Sequence, residues 1–244
     1  MSLAEYAELR ADHKAAFALL TEGRDTGAEL GDWADLWYFD GMLAAVRARM
    51  GDIGAARDQV ARVAQRMVAL GTAWGDDAST WLGIVAAEVA CRAGDFPEAQ
   101  RCCTNVLAAV ATKPTIWWHP YKVAATIRLA MVALAQGDDA LCRDLLAAAL
   151  RLAGDWYEHP PLAAVLDALA VYVLHVDGGN AAIAAKLLGA SHTIRGAFDE
   201  SSLDAPVARR AAKDLLGETA FETAYASGRA LSRDAATALA RDQR

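Results

Sequence analysis

Positive charge is scarce in this 244-residue chain: 24 Lys and Arg stand against 31 Asp and Glu, a formal net charge of −7. Residues 1–185 carry 15 basic against 23 acidic side chains, and residues 186–244 carry 9 against 8, so neither part holds a basic stripe. Phosphate backbones are gripped by clustered cations, so direct nucleic-acid binding by this region is not expected. No apolar run approaches the roughly 20 residues that cross a bilayer. The stretch from Met1 to Arg10 alternates charged and small residues, unlike a signal peptide. The 4 cysteines (Cys91, Cys102, Cys103, Cys142) form no C-x-x-C pair and fit no zinc spacing. Each lies in an apolar helical stretch, so they read as reduced core thiols of a cytoplasmic protein.

The motifs of catalysis are missing too. There is no phosphate-cradling G-x-x-x-x-G-K-[ST], no H-E-x-x-H and no G-x-S-x-G. His119, His159 and His175 have no Ser, Cys or carboxylate partner at a diagnostic spacing. The expectation is therefore no enzyme, no catalytic residue, no metal and no cofactor.

Helical periodicity is what the chain does contain. Leu43, Val46, Ala48 and Met50 lead on to Val60, Val63, Met67 and Leu70, while strand-like alternation is weak. With 55% hydrophobic residues, the composition suits one or two compact all-α domains. The breaks between helices carry more information. Gly51-Asp52, Gly94-Asp95 and Gly137-Asp138 lie 43 residues apart, and Gly179 follows another 42 on. Seven residues before the first three glycines stand Ala44, Ala87 and Ala130; five after them stand Ala56, Ala99 and Cys142. This pattern describes a helical hairpin. Glycine ends one helix in the left-handed conformation, Asp caps the next, and small residues let the two helices approach closely.

The spacing resembles the tetratricopeptide repeat, lengthened from its usual period of about 34 residues. It predicts an α–α superhelix of four helix pairs over 1–197. The first helices run about 33–50, 74–93, 119–136 and 160–176; the second run about 52–70, 95–111, 138–153 and 180–197. Residues 4–30 read as one unpaired preceding helix, so the array opens in mid-repeat, as a piece of a longer protein would. Residues 198–244 form a helical cap: one helix starts at Asp204-Ala205-Pro206, a second spans Glu218 to Ser227, and Ser232 caps a third over Arg233 to Arg241.

The tail carries the most specific text. Ala184-Ala185-Lys186-Leu187-Leu188-Gly189-Ala190 precedes Arg195; Leu216-Gly217 precedes Phe221; Gly228-Arg229-Ala230-Leu231-Ser232 follows. This series resembles the C-terminal repeat region of large actinobacterial transcriptional regulators, the Streptomyces antibiotic regulatory proteins and the ATP-binding LuxR-type regulators. The resemblance implies a non-catalytic regulatory domain that contacts other domains of its own protein or a protein or peptide partner. DNA binding and nucleotide hydrolysis would reside elsewhere. No membrane partner is expected, and a homodimer is open.

One face of the first helices offers a candidate groove. In the glycine register, Trp74, Trp117 and His159 occupy equivalent positions at one end. Tyr38 and Trp81 follow at a second, then Glu88 and, at the far end, Arg49 and Arg92. In tetratricopeptide arrays this face lines the concave side. Two readings remain open: a groove whose aromatic end takes a flat apolar group, such as a small aromatic effector, or rings that pack between repeats. Arg47, Arg49, Arg57, Arg62 and Arg66, interleaved with Asp52 and Asp58, read as a solvated face or as a site for an acidic partner segment.

Overall fold

The computed structural model describes residues 2–31, 36–70, 75–111, 113, 118–154, 160–176 and 180–243. These residues are all-α, with no strand among them and with the stacked helix pairs of the α–α superhelical class. They divide into two compact units, Met1–Pro114 and Thr115–Arg244. The first holds α1 (Leu3–Leu9), α2 (His13–Glu29), α3 (Leu36–Arg49), α4 (Ile53–Leu70), α5 (Gly75–Arg92) and α6 (Phe96–Val110). The second holds α7 (His119–Ala135), α8 (Asp139–Gly154), α9 (Pro160–Val176), α10 (Ala181–Arg195), α11 (Ala205–Leu216), α12 (Glu218–Arg229) and α13 (Arg233–Arg241).

The predicted hairpin turn is present at each described glycine of the register. Gly51, Gly94 and Gly137 adopt φ of 88°, 72° and 79°. The amide after each glycine donates back to a carbonyl in the helix it leaves: Asp52 to Arg47, Asp95 to Ala90 and Asp138 to Ala133, all at 2.9 Å. Each Asp carboxylate then accepts from an amide of the next helix, Ala55 at 3.2 Å, Glu98 at 3.3 Å and Leu141 at 2.9 Å. The turn thus satisfies donors and acceptors that both helix ends would otherwise leave bare. The six small residues that flank these turns, Ala44 with Ala56, Ala87 with Ala99 and Ala130 with Cys142, are completely buried. Gly179 lies outside the described residues.

The single helix expected over residues 4–30 is instead a pair, α1 and α2, packed on each other. Ala11, at φ 54°, takes the place of the turn glycine, and Asp12 caps α2 through the Ala15 amide at 3.1 Å. The Asp12 amide repeats the same bond, donating to Ala7 O at 2.9 Å. The turn was hidden in the sequence because alanine stands where the other copies have glycine. Within each unit the pairs stack in the same way. The first helix of one pair meets the first helix of the next, α3 on α5 and α7 on α9, and second helices pack on the following first helix, α2 on α3, α4 on α5 and α8 on α9.

The tail helices α11–α13 do not stand apart. They pack on α8, α9 and α10 and share one continuous hydrophobic core with α7–α10. A Cβ on Gly189 would collide with the Tyr225 carbonyl oxygen, and one on Gly228 with the Lys186 carbonyl oxygen. The two glycines let α10 and α12 cross backbone to backbone, which explains why the Leu-Leu-Gly-Ala and Gly-Arg segments need them. Arg195 donates to the buried Asp167 at 2.6 Å and to Ser191 Oγ at 3.1 Å, tying the end of α10 to α9. Arg128 of α7 pairs with Asp204 at the start of α11. Asp204 therefore makes no capping bond, and Ser202 Oγ accepts from the Asp204 and Ala205 amides in its place.

Two substitutions check these turns and crossings. Gly228→Ala should lower unfolding stability by about 1–3 kcal/mol, because neither backbone can retreat without strain. Ala11→Gly should raise it by about 1 kcal/mol by removing the cost of a left-handed alanine. Denaturant titration reads both, and no change at Gly228 would contradict the close crossing.

Candidate functional site

The proposed groove residues fall in two groups, and three of them, Trp74, Trp117 and His159, lie outside the described residues. The aromatic group that can be placed sits at the start of α3 and α5. Tyr38 and Trp81 lie with ring centroids 5.1 Å apart at an interplanar angle of 36°, and Trp37 meets Trp81 edge-on at 5.3 Å. Both Tyr38 and Trp81 are half-buried. The Trp81 ring lies over Gly41 of α3, where a Cβ would strike it. Much of its area is therefore spent on packing α5 against α3, with an edge left accessible.

The charged group forms a network. Arg49 grips Glu88 with two parallel hydrogen bonds, Nε to Oε1 at 2.9 Å and Nη2 to Oε2 at 3.0 Å. Its Nη1 reaches Glu8 of α1 at 2.7 Å, and Arg92 donates to Glu88 Oε1 at 3.1 Å. Two guanidiniums thus meet two carboxylates, and the charged end of the groove is balanced from within. Burial works against the Glu88 carboxylate, yet Arg49 first and then Arg92 hold its pKa at about 2, below the ordinary 4.5. His13 lies in the same neighbourhood, with its pKa lowered by burial and then by the two guanidiniums. The network ties α1, α3 and α5 together.

The histidines outside this face have structural partners. His119 Nε2 lies 2.7 Å from the Leu152 carbonyl oxygen, and His175 Nε2 lies 3.3 Å from Asp139 Oδ1 in an exposed pair. The four cysteines are free thiols; Cys102, Cys103 and Cys142 are buried and Cys91 partly so. Burial pushes the Cys102 thiol up to about 11 and the Cys142 thiol up to about 12, so neither is an activated nucleophile.

A concavity lies on another face of the first unit. A cleft of about 760 Å³ runs between α4, α5 and α6. Val60, Ala64 and Val68 of α4 form one wall, Leu82 and Ala86 of α5 the floor, and Val106 of α6 the other wall. Val68, at the edge of this cleft, is 83% exposed. Arg57 and Arg101 border the cleft, each in an ion pair, with Asp95 at 2.8 Å and Glu98 at 2.5 Å. Sequence reasoning missed this cleft. The available signal was an apolar stripe on α4, Ala61, Ala64 and Val68, beyond the one that packs inward through Ala56 and Val63.

No helix among the described residues is long and apolar enough to cross a membrane. Removal of the Glu88 charge tests the ion network. Glu88→Gln should destabilise the chain by about 3–5 kcal/mol, because Arg49 is left buried with a single carboxylate partner. Because the folded pKa is depressed, the Glu88 contribution is complete above about pH 4.5 and is lost as pH falls toward about 2. The Glu88→Gln variant should therefore lack that part of the acid transition in a pH series of unfolding curves.

No family model and no curated protein matches the chain. Among solved structures it is similar to the crystal structure of BtubC (BKLC) from P. vanneervenii. The TM-score is 0.54 at 16% identity, over 84% of this chain and 93% of that one. At that identity the likeness is one of fold alone.

Proposed function

We propose that this chain is a non-catalytic regulatory repeat domain of a bacterial transcriptional regulator, acting through contact with a protein partner or another domain of its own protein. The observation that carries the reading is the open apolar cleft between α4, α5 and α6, with Val68 held out at its edge. An apolar concavity of that size between helices suits an amphipathic helix that lays its apolar face into a groove. The regulatory context rests on the resemblance of the tail series from Ala184 to Ser232. The half-buried Tyr38–Trp81 pair favours a second reading, an effector sensor that takes a small aromatic molecule.

Ala64→Glu places a charge in the cleft at an exposed helical position, so it should leave the melting temperature nearly unchanged. It should abolish co-purification of the partner from the source cell, whereas Arg143→Gln on α8 should not. Retention of the partner by Ala64→Glu would remove the cleft from the proposal. A melting temperature raised by aromatic metabolites and lost in Trp81→Ala would favour the sensor instead.

A further inference from the structure

A second concavity lies on the other side of α4 and does not depend on the apolar cleft. Arg24 of α2, Arg47 of α3 and Arg62 and Arg66 of α4 line a pocket of about 150 Å³, together with Asp40 and Gln59. Four guanidiniums stand against Asp40 and the Arg24 partner Asp25, a local charge of about +2 in a chain of net −7. Asp40 is buried; it receives Arg66 Nη1 at 2.7 Å and Gln59 Nε2 at 3.4 Å, and lies 3.9 Å from Arg24 Nη1. Arg24 is also held by the neighbouring Asp25 at 2.6 Å. Arg47 lies over the Phe17 ring, 5.4 Å from its centroid. Among the described residues, neither Arg47 nor Arg62 meets a carboxylate within ion-pair distance. Gln59 is 5% exposed, and its Oε1 is buried without a hydrogen-bond partner.

Like charges confined to one pocket repel, and that repulsion is relieved by a bound anion. Guanidinium forks match the oxygens of a tetrahedral oxyanion, and the volume admits a group of that size and little more. Asp40 and Gln59 add acceptors, which disfavour a ligand made only of negative oxygens and favour one with a donor beside them. We propose that this pocket binds a phosphoryl group with an adjoining hydrogen-bond donor. Inorganic hydrogenphosphate supplies the donor as its own P–OH. A phosphorylated peptide supplies it as a backbone N–H. Arg62, with no carboxylate to release, is the side chain best placed to gain from the contact, and Arg66 bridges the ligand to Asp40.

Isothermal titration of the full chain with sodium phosphate, sodium sulfate and sodium chloride at matched ionic strength tests the proposal. A phosphoserine peptide and its unphosphorylated twin form the second arm. Phosphate should bind more tightly than sulfate, since sulfate has no donor at neutral pH, and chloride should give no saturable heat. Arg62→Gln should weaken phosphate binding by about tenfold, and at an exposed position it should leave the melting temperature unchanged. Arg66→Gln should weaken it as well. A phosphopeptide that outcompetes free phosphate would support the pocket with a phosphorylated segment as its ligand; the reverse order would support it with free phosphate. Sulfate or chloride matching phosphate, or unchanged phosphate affinity in both arginine variants, would overturn it.

Discussion

The left-handed turn followed by an aspartate cap is the constraint on which the rest of this structure depends. It joins two helices through backbone bonds on one side and a side-chain cap on the other, as at Gly94 and Asp95. That geometry fixes where the second helix leaves the first. The helices then run so close that the facing positions admit only small side chains, Ala87 against Ala99 or Ala130 against Cys142. The turn at Ala11 shows how strong the demand is, because the same bonds form there at the cost of a left-handed alanine.

Where the repeat pattern ends, the chain holds its helices by other means. In the second unit α10 and α12 cross at Gly189 and Gly228, and the half-buried Arg195 and Arg128 tie α10 to α9 and α7 to the start of α11. Burial drives the pKa of Asp167 up to about 6 even beside Arg195, so this pair sits near the limit of what a dry interior tolerates. In the first unit Glu88 is served by two guanidiniums and stays ionised far more easily. Glu88 has two cationic partners and keeps some exposure, whereas the more deeply buried Asp167 has one.

Helix α4 has one inward stripe, one face on an apolar cleft and one on a basic pocket. Ala56 and Val63 pack inward, Ala64 and Val68 line the cleft, and Arg62 and Arg66 line the pocket. A helix in a two-layer stack touches neighbours on little more than one side, so its remaining surface is available for binding.

The sequence by itself determined the helices, their turns and the small residues between them, because each follows from residues close together in the chain. Glycine at a recurring position, aspartate after it and alanine at fixed offsets leave few alternatives, and the bounds of α4, α7 and α9 agree with the periodicity to within a residue or two. The division of residues 4–30 into two helices was not legible, since Ala11 carries no local sign of a turn. The tertiary structure decided what the charged and aromatic side chains do. Arg49, Glu88 and Arg92 share a face in the register, but only the approach of α1, with Glu8, turns them into a balanced network. Trp81 has the spacing of a groove residue, yet its ring packs over Gly41 of another helix. The arginines of α4 divide between a paired rim and a pocket with an excess of positive charge because α2 and α3 bring Arg24, Arg47 and Asp40 to one side of it. Coulombic balance depends on partners distant in sequence, and local periodicity carries no information about them.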